Sequence, residues 1–226
     1  IKAKKQNKLP KVVIPVHLSG QSCDMKRIFE LAKTYNFKII EDASHATGGK
    51  YYGEPIGNCK YSDIAVFSFH PVKIITTCEG GVCTTNDPKI YNRLIRLRSH
   101  GVTRHTSEME FKPDGPWYYE QLELGFNFRL NDIMAAIGIT QLKKINKFIK
   151  ERHKISKYYD SIFNDLDVIT PKQIKHSESS RHLYIIRILK NRNTIFEKLR
   201  NNGVGVNIHY IPIYRQPFYR KFNFDF

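Results

Sequence analysis

Short apolar runs and one helical repeat alternate over the first third of the chain. Val12–Val16 is apolar, with Pro15 inside it, and Ser19-Gly20-Gln21-Ser22 turns the chain. Ile28, Leu31, Ala32 and Tyr35 then recur at helical spacing behind Ser22 or Asp24, either of which can cap that helix. Phe37–Ile40 reads as a buried strand ending in Glu41-Asp42. Strand, helix and strand in this order predict a parallel sheet with crossover helices. Gly48, Gly49, Gly53, Pro55 and Gly57 make Thr47 to Tyr61 a loop. Ile64–Phe69 and Gly81–Thr85 are the next strands, and Asn86 or Asp87 opens a helix to about Arg98.

From Ser99 to Gly125 the pattern is irregular, a length of loop that is uncommon in a compact domain unless it is functional. Asn131 or Asp132 caps a long helix running to about Phe163, with Met134, Ile137, Leu142, Ile145 and Ile149 as its apolar stripe. Beyond Pro171 the pattern predicts a strand over His182–Leu189, a helix over Asn193–Asn201 and a strand over Val204–His209. The expected organisation is α/β: residues 1–128 form part of a large domain, and 129–226 hold the long helix and a smaller α+β domain.

Composition narrows the class. Of 226 residues, 41% are hydrophobic, enough for a core and against disorder. No apolar run approaches the ~20 residues of a membrane-spanning helix, and no signal peptide is visible, so a soluble, cytoplasmic chain without a membrane partner is expected. Cys23, Cys59, Cys78 and Cys83 include no CxxC pair and read as thiols, not as a metal site or a disulfide framework. The 37 Lys and Arg against 21 Asp and Glu give a net charge of +16, which favours anionic partners. The charge gathers near the N-terminus and over Lys143–Lys157, without the interleaved aromatics of a nucleic-acid reader, so no specific nucleic-acid partner is expected. The chain opens on Ile1, not Met, and stops at Phe226, which suits a piece of a longer one.

Three segments carry candidate chemistry. Glu41-Asp42-Ala43-Ser44-His45-Ala46 puts a carboxylate at the carboxyl end of an apolar strand, where open α/β sheets bind ligands, although such an acid also suits a solvated loop. In Phe67-Ser68-Phe69-His70-Pro71-Val72-Lys73, followed by Ile75-Thr76-Thr77 and Glu79-Gly80-Gly81, Lys73 is flanked by Val72 and Ile74. It is either a surface lysine or an amine that burial keeps partly neutral and nucleophilic. Gly125-Phe126-Asn127-Phe128-Arg129 offers Asn and Arg just before a helix start, a place that serves a structural cap or an anion equally well.

In this order the three segments resemble the sugar aminotransferases of the DegT/DnrJ/EryC1/StrS family. The resemblance extends from Val12-Val13-Ile14-Pro15-Val16-His17-Leu18-Ser19-Gly20 to Val206-Asn207-Ile208-His209-Tyr210-Ile211-Pro212. It implies the pyridoxal phosphate (PLP)-dependent transferase fold of type I, aspartate aminotransferase-like, with a mainly parallel sheet. Residue by residue, it implies that Lys73 holds PLP covalently and moves protons, and that Asp42 pairs with the pyridinium nitrogen. His45 falls near the ring, Ser68 on the cofactor phosphate, and Asn127 on the phosphate of a neighbouring subunit, so a homodimer with shared sites is implied. His100, His209 and Tyr210 match regions lining a nucleotide-sugar pocket. The run from His70 to Gly81 is most similar to the branch of pseudaminic acid type biosynthesis. That branch aminates C4 of a UDP-linked 4-keto-6-deoxy-N-acetyl sugar with glutamate as donor. Against the family's pattern, the N-terminal part that cups the phosphate and stacks an aromatic on the ring, and the end of the small domain, are expected to lie outside this sequence. The competing expectations are a non-catalytic remnant or partner subunit, and a basic nucleic-acid binder.

Overall fold

The computed structural model describes residues 2–222. The chain divides into two compact units, one of Ile1–Asn164 with Pro171–Ile185, the other of Asp165–Thr170 with Ile186–Phe226. The division falls elsewhere than the expected boundary after residue 128. The two helices that directly follow that point cluster with the first unit, and so does Ser177–His182, which folds back onto the Ser19-Gly20 turn: Ser180 N–H donates to Gly20 C=O (3.0 Å) and His182 N–H to Ser19 C=O (3.0 Å).

The first unit opens with α1 (Lys2–Lys5), β1 (Val12–Val13), α2 (Met25–Tyr35) and β2 (Lys38–Asp42). It continues through β3 (Lys50–Tyr51), β4 (Glu54–Pro55), β5 (Ile64–Ser68), β6 (Gly81–Thr84) and α3 (Pro88–Leu97). Next come β7 (Val102–Thr103), β8 (Glu120–Gln121), α4 (Asp132–Leu142) and α5 (Ile145–Ile162). The second unit contributes β9 (Val168–Ile169), the first unit closes with β10 (Ser177–Glu178), and β11 (Arg187–Ile188), α6 (Arg192–Asn201) and α7 (Pro217–Arg220) complete the second.

The main sheet has the order β1-β2-β5-β6, with β1, β2 and β5 parallel and β6 antiparallel. As the pattern predicted, α2 crosses between β1 and β2. Asp24 caps it by accepting from Arg27 N–H at 3.3 Å, and Asn36 ends it in the left-handed region. Met25 and Ala32 of that helix pack with Ile39 and Tyr51, while Ala43, Ala46, Ile56, Cys59, Ala65 and Phe67 form a second core cluster. Asp87 caps α3, with Pro88 at its first turn, and Asn131 caps α4 through Met134 N–H at 2.9 Å.

Three expectations are corrected. Thr47 to Tyr61 is not all loop: β3 and β4 form a hairpin that pairs with β10. Its two-residue turn, Tyr52-Gly53, has positive φ at both positions (52° and 77°), the conformation a tight hairpin requires but one usually signalled by Asn-Gly. The long helix breaks at Lys143-Lys144 into α4 and α5, with no Gly or Pro to announce it. Of the strands expected late in the chain, only Arg187–Ile188 forms, paired with β9, and Val204–His209 carries no strand. An apolar extended segment becomes a strand only where a partner ladder satisfies its backbone.

Candidate active site

β2 and β5 run parallel with Asp42 opposite Val66, so their carboxyl ends meet at one edge of the sheet. Strand alternation turns Asp42, Val66 and Ser68 to one face and Glu41, Ala65 and Phe67 to the other. Asp42 is half-buried, and its carboxylate accepts from Ser44 N–H at 3.0 Å. Its own N–H donates to Pro15 C=O (2.9 Å) and its C=O accepts from His17 N–H (3.0 Å), which extends the ladder beyond β1.

Lys73 lies on the loop between β5 and β6. That loop is tied down by Phe69 N–H to Gly80 C=O (2.8 Å), Thr77 N–H to Phe69 C=O (3.0 Å) and the Thr76 hydroxyl to Phe69 C=O (2.9 Å). Ile74, Ile75 and Thr77 are buried and anchor it, leaving Lys73 half-buried beside them. Gly81 is needed where the loop re-enters the sheet, since a Cβ there would stand 2.5 Å from the Phe67 carbonyl oxygen. Burial pulls the Lys73 amine below its ordinary pKa, and the charge of Asp42 opposes that pull. Ser68 accepts from His70 N–H at 3.4 Å at the start of the same loop.

His45 follows Asp42 in the turn after β2. Its Nδ1 accepts from Ser19 N–H (3.3 Å), and its ring lies 4.5 Å from that of His182. Ser180 Oγ donates to the His45 carbonyl at 3.1 Å. Gly20 permits this closeness: a Cβ on it would lie 2.6 Å from Ser180 Oγ. His182 is a neighbour that sequence reasoning missed, and its only signal was a histidine in an apolar strand pattern.

A second patch of the same unit holds His100 and Asn127. Phe126 N–H donates to Leu97 C=O (2.7 Å), Phe128 N–H to Arg98 C=O (2.9 Å) and His100 N–H to Phe126 C=O (2.8 Å), which straps the loop to the end of α3. Asn127 and His100 are exposed there, and the Phe126 and Phe128 rings stack at 4.7 Å. Asn127 makes no hydrogen bond to Asp42, His45, Ser68 or Lys73 among the described residues. His209 and Tyr210 lie in the second unit with their rings 4.3 Å apart.

Sequence reasoning also missed a buried cluster behind β2. The His17 ring and the Glu41 carboxylate meet at 2.7 Å, Ser62 Oγ donates to the other Glu41 oxygen, and Cys23 N–H points to His17 Nδ1 at 3.2 Å. Burial opposes charge on the imidazole, yet its interactions with Cys23 and Glu41 outweigh burial and raise its pKa from 6.5 to about 9.

The α/β sheet thus presents a partly dry amine and a carboxylate at its strand ends, where open α/β sheets bind ligands. The sequence profile of the DegT/DnrJ/EryC1/StrS aminotransferase family matches residues 2–224, and the chain belongs to that family. It is 41% identical to an uncharacterized protein of Methanocaldococcus jannaschii, over 93% of this chain and 55% of that protein. It is 39% identical to a UDP-4-amino-4,6-dideoxy-N-acetyl-beta-L-altrosamine transaminase of Campylobacter jejuni, over 91% of this chain and 53% of that one. Among solved structures, Helicobacter pylori PseC, an aminotransferase involved in the biosynthesis of pseudoaminic acid, superposes with a TM-score of 0.85. It is 32% identical, over 94% of this chain and 56% of that one. The chain therefore spans about half the length of the curated relatives it matches. Among the described residues, no helix is long and apolar enough to cross a membrane.

Proposed function

We propose that this chain carries the amine and carboxylate of a PLP-dependent transaminase acting on a nucleotide-linked 4-keto-6-deoxy sugar. The substrate is a UDP-N-acetyl sugar and the amino donor is glutamate. The observation that supports this most is the placement of Asp42 at the end of β2 and of Lys73 beyond the end of the parallel neighbour β5, on a loop anchored by buried Ile74 and Ile75. The residues present fit the cofactor: a half-buried amine for its aldehyde, a carboxylate for its ring nitrogen, and a hydroxyl at Ser68 for its phosphate. When bound, PLP supplies an electron sink. Lys73 Nζ holds and moves the proton, and Asp42 keeps a positive charge on the ring nitrogen. His45 would border the ring, and Asn127 would hold the phosphate bound in a neighbouring subunit. His100 of the first unit contacts the nucleotide sugar. The Campylobacter relative's name supports the sugar class.

The competing reading is a partner subunit without turnover. Borohydride reduction after incubation with PLP, followed by peptide mapping, separates the two. The expected result is a reduced cofactor adduct at Lys73 that disappears in Lys73→Ala. No adduct at Lys73, or an unchanged yield in the variant, overturns the first reading. Amination of a UDP-4-keto sugar with glutamate then tests the substrate class.

A further inference from the structure

The buried cluster behind β2 has no place in the chemistry above, yet it grips the residue on which that chemistry depends. Glu41 and Asp42 are consecutive on a strand, so their side chains leave opposite faces. His17 engages both: its ring holds the Glu41 carboxylate at 2.7 Å, and its N–H holds the Asp42 carbonyl at 3.0 Å. His17 is fully buried and Glu41 is 5% exposed, with both carboxylate oxygens satisfied, one by His17 and one by Ser62. Two residues beyond His17, Ser19 N–H reaches His45 Nδ1. One buried ring thus fixes the turn that touches both Asp42 and His45.

The geometry points to His17 as a positioning residue: locked against Glu41, it sets the Asp42 carboxylate and the His45 ring in place for the cofactor from the opposite face of the sheet. This inference rests on the reading of Asp42 as the cofactor's ring partner. Removing the ring leaves Glu41 buried without its main partner, and the backbone bonds between Pro15–His17 and Asp42 lose the side-chain tie that backs them.

A double-mutant cycle tests it, with PLP affinity read by absorbance. His17→Leu keeps similar bulk but removes the hydrogen bonds, and His17→Gln keeps a donor for Glu41. His17→Leu is expected to weaken PLP binding about tenfold with Asp42 present and less than about twofold in an Asp42→Asn background, with His17→Gln restoring part of the loss. An equal loss in both backgrounds assigns His17 a structural role only and overturns the inference. So does an unchanged affinity in a folded His17→Leu. Should His17→Leu fail to fold, Ser62→Ala enters the same cycle, with about a threefold loss expected and the same criterion. If the parent chain takes up no PLP, the reading of Asp42 is what fails. Hydrogen exchange at the Asp42 amide in the unloaded chain then decides the positioning role. Exchange faster by about tenfold in His17→Leu, relative to amides of β5, supports it, and unchanged exchange overturns it.

Discussion

Asp42 at the carboxyl end of β2 acts through its charge on Lys73, on the loop beyond β5: the carboxylate favours the ammonium while burial works to strip its proton. The two effects oppose each other, and burial prevails. Asp42→Asn removes the opposing charge, so the Lys73 pKa falls further. Modification of Lys73 by an amine-directed reagent, followed by peptide mapping across a pH series, should shift to lower pH. On the proposed reading of Asp42, the same change removes a charge-assisted hydrogen bond to the ring nitrogen and should weaken PLP binding at least about tenfold. A variant with the parent's reactivity profile would show that the two groups do not communicate.

The pair of His17 and Glu41 makes stability depend on pH. The native His17 pKa of about 9 stands above its reference value of 6.5. Its contribution is therefore complete below the lower value and disappears as pH rises through the upper one, a loss on the order of 3 kcal/mol. Urea unfolding across this window should show the decline in the parent and a flatter profile in His17→Gln.

Gly125 is fixed by close backbone approach. A Cβ there would lie 2.1 Å from the Gly101 nitrogen and 2.5 Å from the His100 carbonyl carbon, and neither can swing aside as a side-chain tip could. Gly125→Ala should cost about 2–3 kcal/mol and free the loop that carries Asn127. The urea midpoint and the exchange rates of the Phe126 and Phe128 amides read both effects.

Asn131 accepts from Met134 N–H at 2.9 Å and caps α4. Asn131→Ala should lower stability by about 1 kcal/mol, whereas Asn131→Asp should preserve it. The unfolding midpoint should move without a change in slope, since a cap alters neither the core nor the surface exposed on unfolding.

Local chemistry made much of this fold legible. Asp24, Asp87 and Asn131 each start the helix that their short polar side chains predict. The apolar runs ending in Asp42 and Ser68 became the paired parallel strands that place a carboxylate and a hydroxyl on one face. The lysine set among Val72 and Ile74 lies in a half-buried loop, because Ile74 and Ile75 are drawn into the interior. The caps and the alternation along each run depend on residues within a few positions of one another, so the sequence alone determined them, while the pairing of the two strands needed the tertiary structure.

Contacts between distant segments were decided only by the tertiary structure. His17 finds Glu41 because β1 and β2 pair, and His45 finds His182 because Ser177–His182 returns to the Ser19-Gly20 turn. The Tyr52-Gly53 hairpin forms where β10 supplies its ladder, and the helix breaks at Lys143-Lys144 without a breaker residue. Periodicity reports which face of an element is apolar. Which buried acid meets which buried base depends on how the elements close on one another, where burying an unpaired charge costs more than any local preference returns.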